Sequence, residues 1–291
     1  KTIDNDVGDP EFKIVDHTPG YGSAARYWAY VTQLLDEENR GMSPSECVTV
    51  IQAMGRKAGF IPAASRLADP DRKMPLQIYM SESHHTLESL AEHVNMELTR
   101  SGRCIVVVSE GFDVGGLGEA HDGFGHIEYG ASQSTVAQVV INYLNSVKLA
   151  ARGTASAQVP GVLQRSTSIF ASAVDIEEAY QVGRKAVDVA LKDGTGFMAT
   201  IGRAPGAVYR ALYDKVPLDQ VANSERHMPK HWIDRNGLDV TDEFVAYARP
   251  LIGDGWPDVH IENGIQRFAR IVPKFIDSKL PAYVPQRHRT A

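Results

Sequence analysis

Cysteine is scarce: Cys47 and Cys104 are the only two in 291 residues. Two thiols this far apart provide no disulfide framework, and they fit buried cysteines in a reducing, cytoplasmic compartment. Long apolar runs are also absent. The longest, such as residues 105–108 (IVVV), are far too short to span a bilayer, and residues 1–20 hold no signal-peptide apolar region. Positive charge is not in excess, since Lys plus Arg number 30 against 36 Asp plus Glu, a net charge of −6. A chain of this balance is a poor general nucleic-acid binder, so anionic ligands must be met by local arginines and lysines. No Gly-Lys-Ser/Thr phosphate loop, internal repeat or low-complexity segment occurs. Neither a membrane nor a nucleic acid is therefore expected as a partner.

What is present is an ordinary globular composition, 43% hydrophobic and 23% charged, long enough for one large domain or two small lobes. Apolar β-branched runs alternate with amphipathic patterns, the mark of an α/β protein with a parallel sheet. Residues 47–52 (CVTVIQ), 76–80 and 104–109 (CIVVVS) read as strands, the last as a buried central one. Residues 155–159 and 197–201 read as further strands. Helices are expected over 58–67, from the apolar face Leu87, Leu90, Ala91, Val94 and Leu98, and over 134–144. Asp175 with Glu178 suggests a capping box for a helix that buries Ile176, Ala179, Gly183, Ala186, Val187 and Ala190. Beyond Ala204 prolines break the pattern. A C-terminal elaboration over 205–291 is expected, with short helices near 218–222 and 242–248 and an extended tail over 281–291. Trp232, Trp256, His231 and His260 are expected to pack it.

The chemistry starts at residue 1. Lys1-Thr2-Ile3-Asp4-Asn5-Asp6 puts a cation, a hydroxyl and two carboxylates into one short stretch. These are the groups a phosphoryl transfer needs: a base for an attacking hydroxyl, a carboxylate near hydrated Mg²⁺, and a charge to meet phosphate. Extended backbone would put Asp4 and Asp6 on one face. By spacing alone, a solvated Asx-rich turn fits as well. Met54-Gly55-Arg56 follows the strand over 47–52, at the carboxyl edge where open α/β sheets bind ligands. Gly55 permits close approach, and Arg56 can neutralise phosphate. Glu110 ends the next strand, and Gln164-Arg165 follows the fourth. Each alone also fits a surface loop. Charged groups at the edges of three separate strands are hard to dismiss together. Other motifs carry less. Residues 111–118 do not open an apolar helix as a dinucleotide fingerprint would, His84-His85 lacks a spaced partner, and His121 and His126 fit an exposed loop.

Five motifs in order, KTIDND (1–6), PGYGSAA (19–25), VIQAMGRKAG (50–59), IVVVSEG (105–111) and PGVLQRS (160–166), resemble the phosphofructokinase family, in particular its pyrophosphate-using branch. The resemblance covers most of residues 1–204 and weakens beyond. It implies parallel-sheet, Rossmann-like lobes, mainly the acceptor-sugar lobe, with a C-terminal helical elaboration. The implied reaction is reversible transfer of a phosphoryl group from pyrophosphate to the 1-hydroxyl of fructose 6-phosphate, with Mg²⁺. A homo-oligomer, dimer or tetramer, is implied as well. On that pattern Asp4 matches the general base, Asp6 the carboxylate supporting base and metal, and Thr2 a contact to the transferring phosphate. Arg56 matches the arginine that stabilises transition-state charge. Met54 and Gly55 match the sugar site, Glu110 the acid that holds sugar hydroxyls, and Arg165 the grip on the 6-phosphate. Lys1 stands where the pyrophosphate users carry lysine and many ATP users carry glycine.

Three departures qualify this picture. Two arginines that reach the 6-phosphate in bacterial ATP-using members fall at Cys47 and Ser156 here, and a histidine falls at Val162. That leaves Arg203, Lys185 or C-terminal residues to hold the 6-phosphate. A motif this loaded at residue 1 also leads us to expect a preceding part with glycine-rich donor loops, without which this chain would be inactive. The alternatives are the same reaction with ATP, or a sugar-phosphate sensor without catalysis.

Overall fold

The computed structural model describes residues 3–115, 134–222, 224–275 and 277. In chain order, helix α1 (Tyr21–Met42) leads to strand β1 (Glu46–Ala53), and α2 (Phe60–Ala63) continues as a 3₁₀ turn over Ala64–Ala68. Strand β2 (Leu76–Tyr79), helix α3 (Leu87–Ser101) and strand β3 (Cys104–Ser109) follow, then α4 (Val136–Ser146) and β4 (Thr154–Gln158). The short α5 (Leu163–Ser166) precedes α6 (Ala173–Lys192), a hairpin of β5 (Phe197–Arg203) and β6 (Ala211–Pro217), and α7 (Asp242–Ile252). Strands β7 (Ile261–Glu262) and β8 (Ile265–Gln266) come last.

Four strands form a parallel sheet in the order β2-β3-β1-β4. Its centre follows from period-2 alternation with both faces apolar. Ile105 and Val107 of β3 join Ile51 and Ala53 of β1 in one core, shared with α1, α2 and α7. Val106 and Val108 join Val48 and Val50 in a second core, under α3 and α4. The loops after β1, β3 and β4 considered below leave this sheet at its carboxyl edge. Cys47 and Cys104 are buried free thiols, and burial pushes both thiol pKa values up.

The five expected strands lie where the sequence places them, whereas β6, β7 and β8 stand where a helical elaboration is expected, and several helices do not match. The helix expected over 58–67 is one α turn and one 3₁₀ turn. Helix α1, the longest, has no counterpart in the sequence reading. Its inward side carries Arg26, Thr32, Asp36 and Asn39 beside Tyr21 and Trp28, which hides the apolar period. The stretch 229–252 folds onto the main body: Trp232, Phe244 and Tyr247 lie in the core with Phe12 and Phe60. Trp256, expected to pack, is 56% exposed, and His231 is exposed too. The chain forms two compact units, residues 1–257 and 258–291. In the second, β7 and β8 pair across Asn263-Gly264, both at positive φ, and Arg267 meets Glu262 at 2.8 Å.

Helix α6 differs most. Its N-cap is Ser172, whose side chain accepts from Asp175 N, so Asp175 and Glu178 form no capping box. The apolar stripe faces outward: Ile176 is 50% and Val187 59% exposed, and Ala179, Gly183, Ala186 and Ala190 are exposed as well. The reason is that Asp175 and Glu178, both buried, are needed inside. Asp175 caps a different helix. Its carboxylate accepts from Gly20 N at 2.7 Å and Ser23 N at 3.1 Å, and from the Ser23 hydroxyl, at the start of α1. Asp175→Ala removes this cap and strands the buried Gly20 N–H and the part-buried Ser23 N–H. We expect about 2 kcal/mol lower stability by urea denaturation. An unchanged midpoint would reassign the residue.

Candidate active site

The Met54–Arg56 loop leaves β1 in a conformation few residues adopt. Gly55 has φ +130° and Arg56 φ +50°. A Cβ on Gly55 would lie 2.7 Å from the Ala58 carbonyl, so glycine is required. Two side chains from neighbouring strand ends fix the loop. Glu110, after β3, accepts from Gly55 N at 3.1 Å and Arg56 N at 2.9 Å through Oε1. Gln164, on α5 after β4, accepts from Met54 N and from Trp28 Nε1, each at 3.0 Å. Gly111 completes the lock: a Cβ there would stand 1.9 Å from the Arg56 carbonyl oxygen. Arg56 itself is left exposed.

The carboxylates converge on the same edge. Glu110 is 8% exposed, and burial raises its pKa. The neighbouring charge of Asp4 raises it further, against the lowering by the two loop N–H groups and the Arg56 charge. Asp4, Gly55, Arg56 and Glu110 therefore share one electrostatic neighbourhood. Asp4 and Asp6 are half-buried and flank Asn5, which is fully buried with φ +60°. The stretch bends at Asp4, so the same-face argument from extended backbone does not apply here. Asp6 Oδ1 is buried and lacks a hydrogen-bond partner among the described residues. Arg165 is exposed and lines a cleft of about 290 Å³ with Ile3, Pro19 and Gln164, next to the Asp4 turn. Lys1, Thr2, His121 and His126 lie outside the described residues.

Arg203 is not available to a substrate phosphate. It grips Asp16 in a fork at 2.9 and 3.1 Å, donates to Tyr247 O at 3.0 Å, and stacks on Tyr209 and Tyr247. Asp16 also meets His17 Nδ1 at 2.8 Å, and His17 Nε2 meets Glu178 at 2.8 Å. Burial disfavours the imidazolium, yet hydrogen bonds and charge from Asp16 and Glu178 hold its pKa above the ordinary value. For Asp16, burial is outweighed by His17 and Arg203, so its pKa falls. Lys185 pairs with Asp214 at 3.9 Å. Cys47 is fully buried in the second core, so it cannot take the place of a phosphate-gripping arginine.

The phosphofructokinase family profile fits residues 1–190. The chain belongs to the phosphofructokinase family. Among its relatives, the pyrophosphate–fructose 6-phosphate 1-phosphotransferase of Rhodospirillum rubrum is 36% identical over 270 residues, 89% of this chain and 64% of that protein. The enzyme of that name from Halomonas elongata is 32% identical over 291 residues, 97% of this chain and 66% of that one. The crystal structure of a pyrophosphate-dependent phosphofructokinase from Nitrosospira multiformis superposes with a TM-score of 0.78 at 33% identity, covering 95% of this chain and 66% of that one. The chain thus spans about two thirds of the length of these phosphofructokinases. Among the described residues no helix is long and apolar enough to cross a membrane, and no group of three or more His, Cys, Asp or Glu clusters as a metal site.

Sequence reasoning found Gly55, Arg56 and Glu110 at this edge but not the parts that Gln164 and Asn5 play in shaping it. Gln164 was noted only beside Arg165, and its part in fixing Met54 needs the fold. Asn5 carried one signal, since asparagine is enriched at positive φ.

Proposed function

We propose that the protein transfers a phosphoryl group from pyrophosphate to the 1-hydroxyl of fructose 6-phosphate, reversibly, giving fructose 1,6-bisphosphate and orthophosphate. The observation that carries this reading is the convergence of Asp4, Arg56 and Glu110 where β1 and β3 end. The names of the relatives support it.

Asp4 takes the proton of the C1 hydroxyl as that oxygen bonds to phosphorus. The bridging P–O bond of pyrophosphate breaks, and orthophosphate leaves. Arg56 meets the charge on the transferring group, and its locked backbone fixes where the side chain starts before substrate arrives. Glu110 steadies that loop through Oε1 and turns Oε2 to sugar hydroxyls, with Met54 and Gly55 lining the sugar site. Arg165 grips the 6-phosphate, and Lys1 and Thr2 meet the donor. Mg²⁺ would bind near the pair, on Asp6, which leaves the proton to Asp4. A carboxylate is a hard oxygen ligand, the unpartnered Asp6 Oδ1 suits a cation, and Mg²⁺ commonly binds one or two carboxylates plus substrate phosphates. When bound, the ion would neutralise phosphate charge. The buried thiols support a cytoplasmic setting. The homo-oligomer implied by the resemblance, dimer or tetramer, belongs to the same reading.

The test is a coupled assay of the whole protein, with pyrophosphate and ATP compared at equal Mg²⁺. Turnover with pyrophosphate at least about a hundredfold above ATP is expected, a difference of about 2.7 kcal/mol in transition-state free energy. Turnover with ATP alone would move the protein to the ATP users. Binding of fructose 6-phosphate without turnover by either donor would make it a sensor.

A further inference from the structure

Asn5 sits between the two carboxylates of the catalytic turn, and its left-handed backbone sets how they are aimed. Asparagine visits φ +60° more readily than other side-chain-bearing residues, but left-handed backbone away from glycine still needs its surroundings to hold it in one place. The source of that hold is remote in sequence. Arg226 is 0% exposed. Its Nε and Nη2 both donate to Asn5 O, at 3.1 and 3.0 Å. Nη2 also reaches Asn5 Oδ1 at 2.9 Å and Asp16 O at 3.2 Å, and Nη1 donates to Val15 O. The Arg226 backbone N–H donates to Asp6 O at 2.7 Å. Two neighbours complete the clamp: Asn5 Nδ2 donates to the Tyr247 hydroxyl at 3.0 Å, and Thr18 N donates to Asn5 Oδ1 at 3.1 Å.

The four acceptors of the guanidinium are all neutral main-chain or amide oxygens, from residues 5, 15 and 16. Its planar face lies on Phe12, 4.1 Å from the ring centre, with Phe60 at 5.6 Å. A buried cation satisfied by carbonyls rather than a carboxylate is an expensive way to stabilise a fold, and hydrophobic residues would do as well. The arrangement makes sense as geometry. A rigid fork holds one peptide in a conformation it would otherwise leave, and lysine could not match that fork.

We propose that Arg226 is a positioning residue for catalysis, holding Asn5 left-handed so that Asp4 is aimed at the acceptor hydroxyl. Arg226 and Tyr247 both lie outside residues 1–190, where the family profile ends, so the C-terminal part supplies the clamp for a turn at the opposite end of the sequence. The proposal rests on the reading of Asp4 as the base.

The test uses the whole protein with Arg226→Lys and, as a one-atom change that keeps the fold, Tyr247→Phe. Misplacement of a reacting group by about 1 Å costs on the order of a hundredfold. We expect Arg226→Lys to lower kcat by about 30- to 100-fold and Tyr247→Phe by about 3- to 10-fold, with KM for fructose 6-phosphate within about threefold. Amide exchange at Thr18, bonded to Asn5 Oδ1, and at Gly8, bonded to the Ser224 hydroxyl two residues before Arg226, should quicken in each variant while the sheet amides stay protected. A purely structural role predicts something else: less folded protein, but unchanged kcat per folded molecule. That result, or kcat within twofold in both folded variants, overturns the proposal. If the wild type transfers nothing from pyrophosphate, the functional reading fails on its own. The clamp is then judged by exchange alone: faster exchange at Gly8 and Thr18 sustains it, and unchanged exchange ends it.

Discussion

Asp4→Ala is expected to lower kcat by about three orders of magnitude while fructose 6-phosphate binds within about threefold of wild type. The reasoning is chemical. A sugar hydroxyl is a poor nucleophile until its proton has somewhere to go, and a positioned base supplies about 10²- to 10⁴-fold. Asp4 stands close enough to Glu110 for its charge to raise that residue's pKa, so it belongs to the edge where the acceptor would lie. Asp4→Asn sharpens the test, since it preserves size and removes basicity. Both variants should lose kcat alike. Binding is measured by calorimetry and turnover by the coupled assay. A variant within about threefold of wild-type kcat would remove Asp4 from the role of base.

Arg56→Gly should cost about a thousandfold in kcat, within the range for an arginine that meets transition-state charge. Glycine is the informative replacement because Arg56 has φ +50°. Alanine would keep the strain that arginine already bears there, whereas glycine adopts this conformation without penalty. The Glu110 bond to the residue 56 amide survives the change, so the loop should keep its shape. Arg56→Lys keeps a charge but loses the fork, and should recover about tenfold over glycine. The check is kcat beside the thermal midpoint of each variant. A large loss of kcat with an unchanged midpoint supports the assignment, and near-wild-type kcat in Arg56→Gly refutes it.

The legible parts of the sequence were those with a one-dimensional signature. Strands β1 and β3 announce themselves because a parallel sheet covered on both faces demands continuous β-branched runs. Loops at their carboxyl ends could then be picked as ligand-facing. Helix α1 was hidden because polar side chains take part in its buried side, each with a distant partner: Arg26 to Ile252 O, Asp36 to Arg103, Asn39 to Thr49. Helix α6 was legible as a helix but read the wrong way round. Its stripe had the right period, yet Asp175 and Glu178 turn inward to serve α1 and His17. The fixing of the site was not legible at all. A carboxylate or amide that receives backbone N–H groups 55 or 110 positions away leaves no pattern in the sequence.

The contact between Gly111 and the Arg56 carbonyl has a consequence for protein engineers. The two loops interlock at van der Waals distance, so neither tolerates exchange by itself. Redirecting this edge toward another acceptor would require transplanting both loops as one cassette, with the Glu110 side chain travelling alongside its backbone partners.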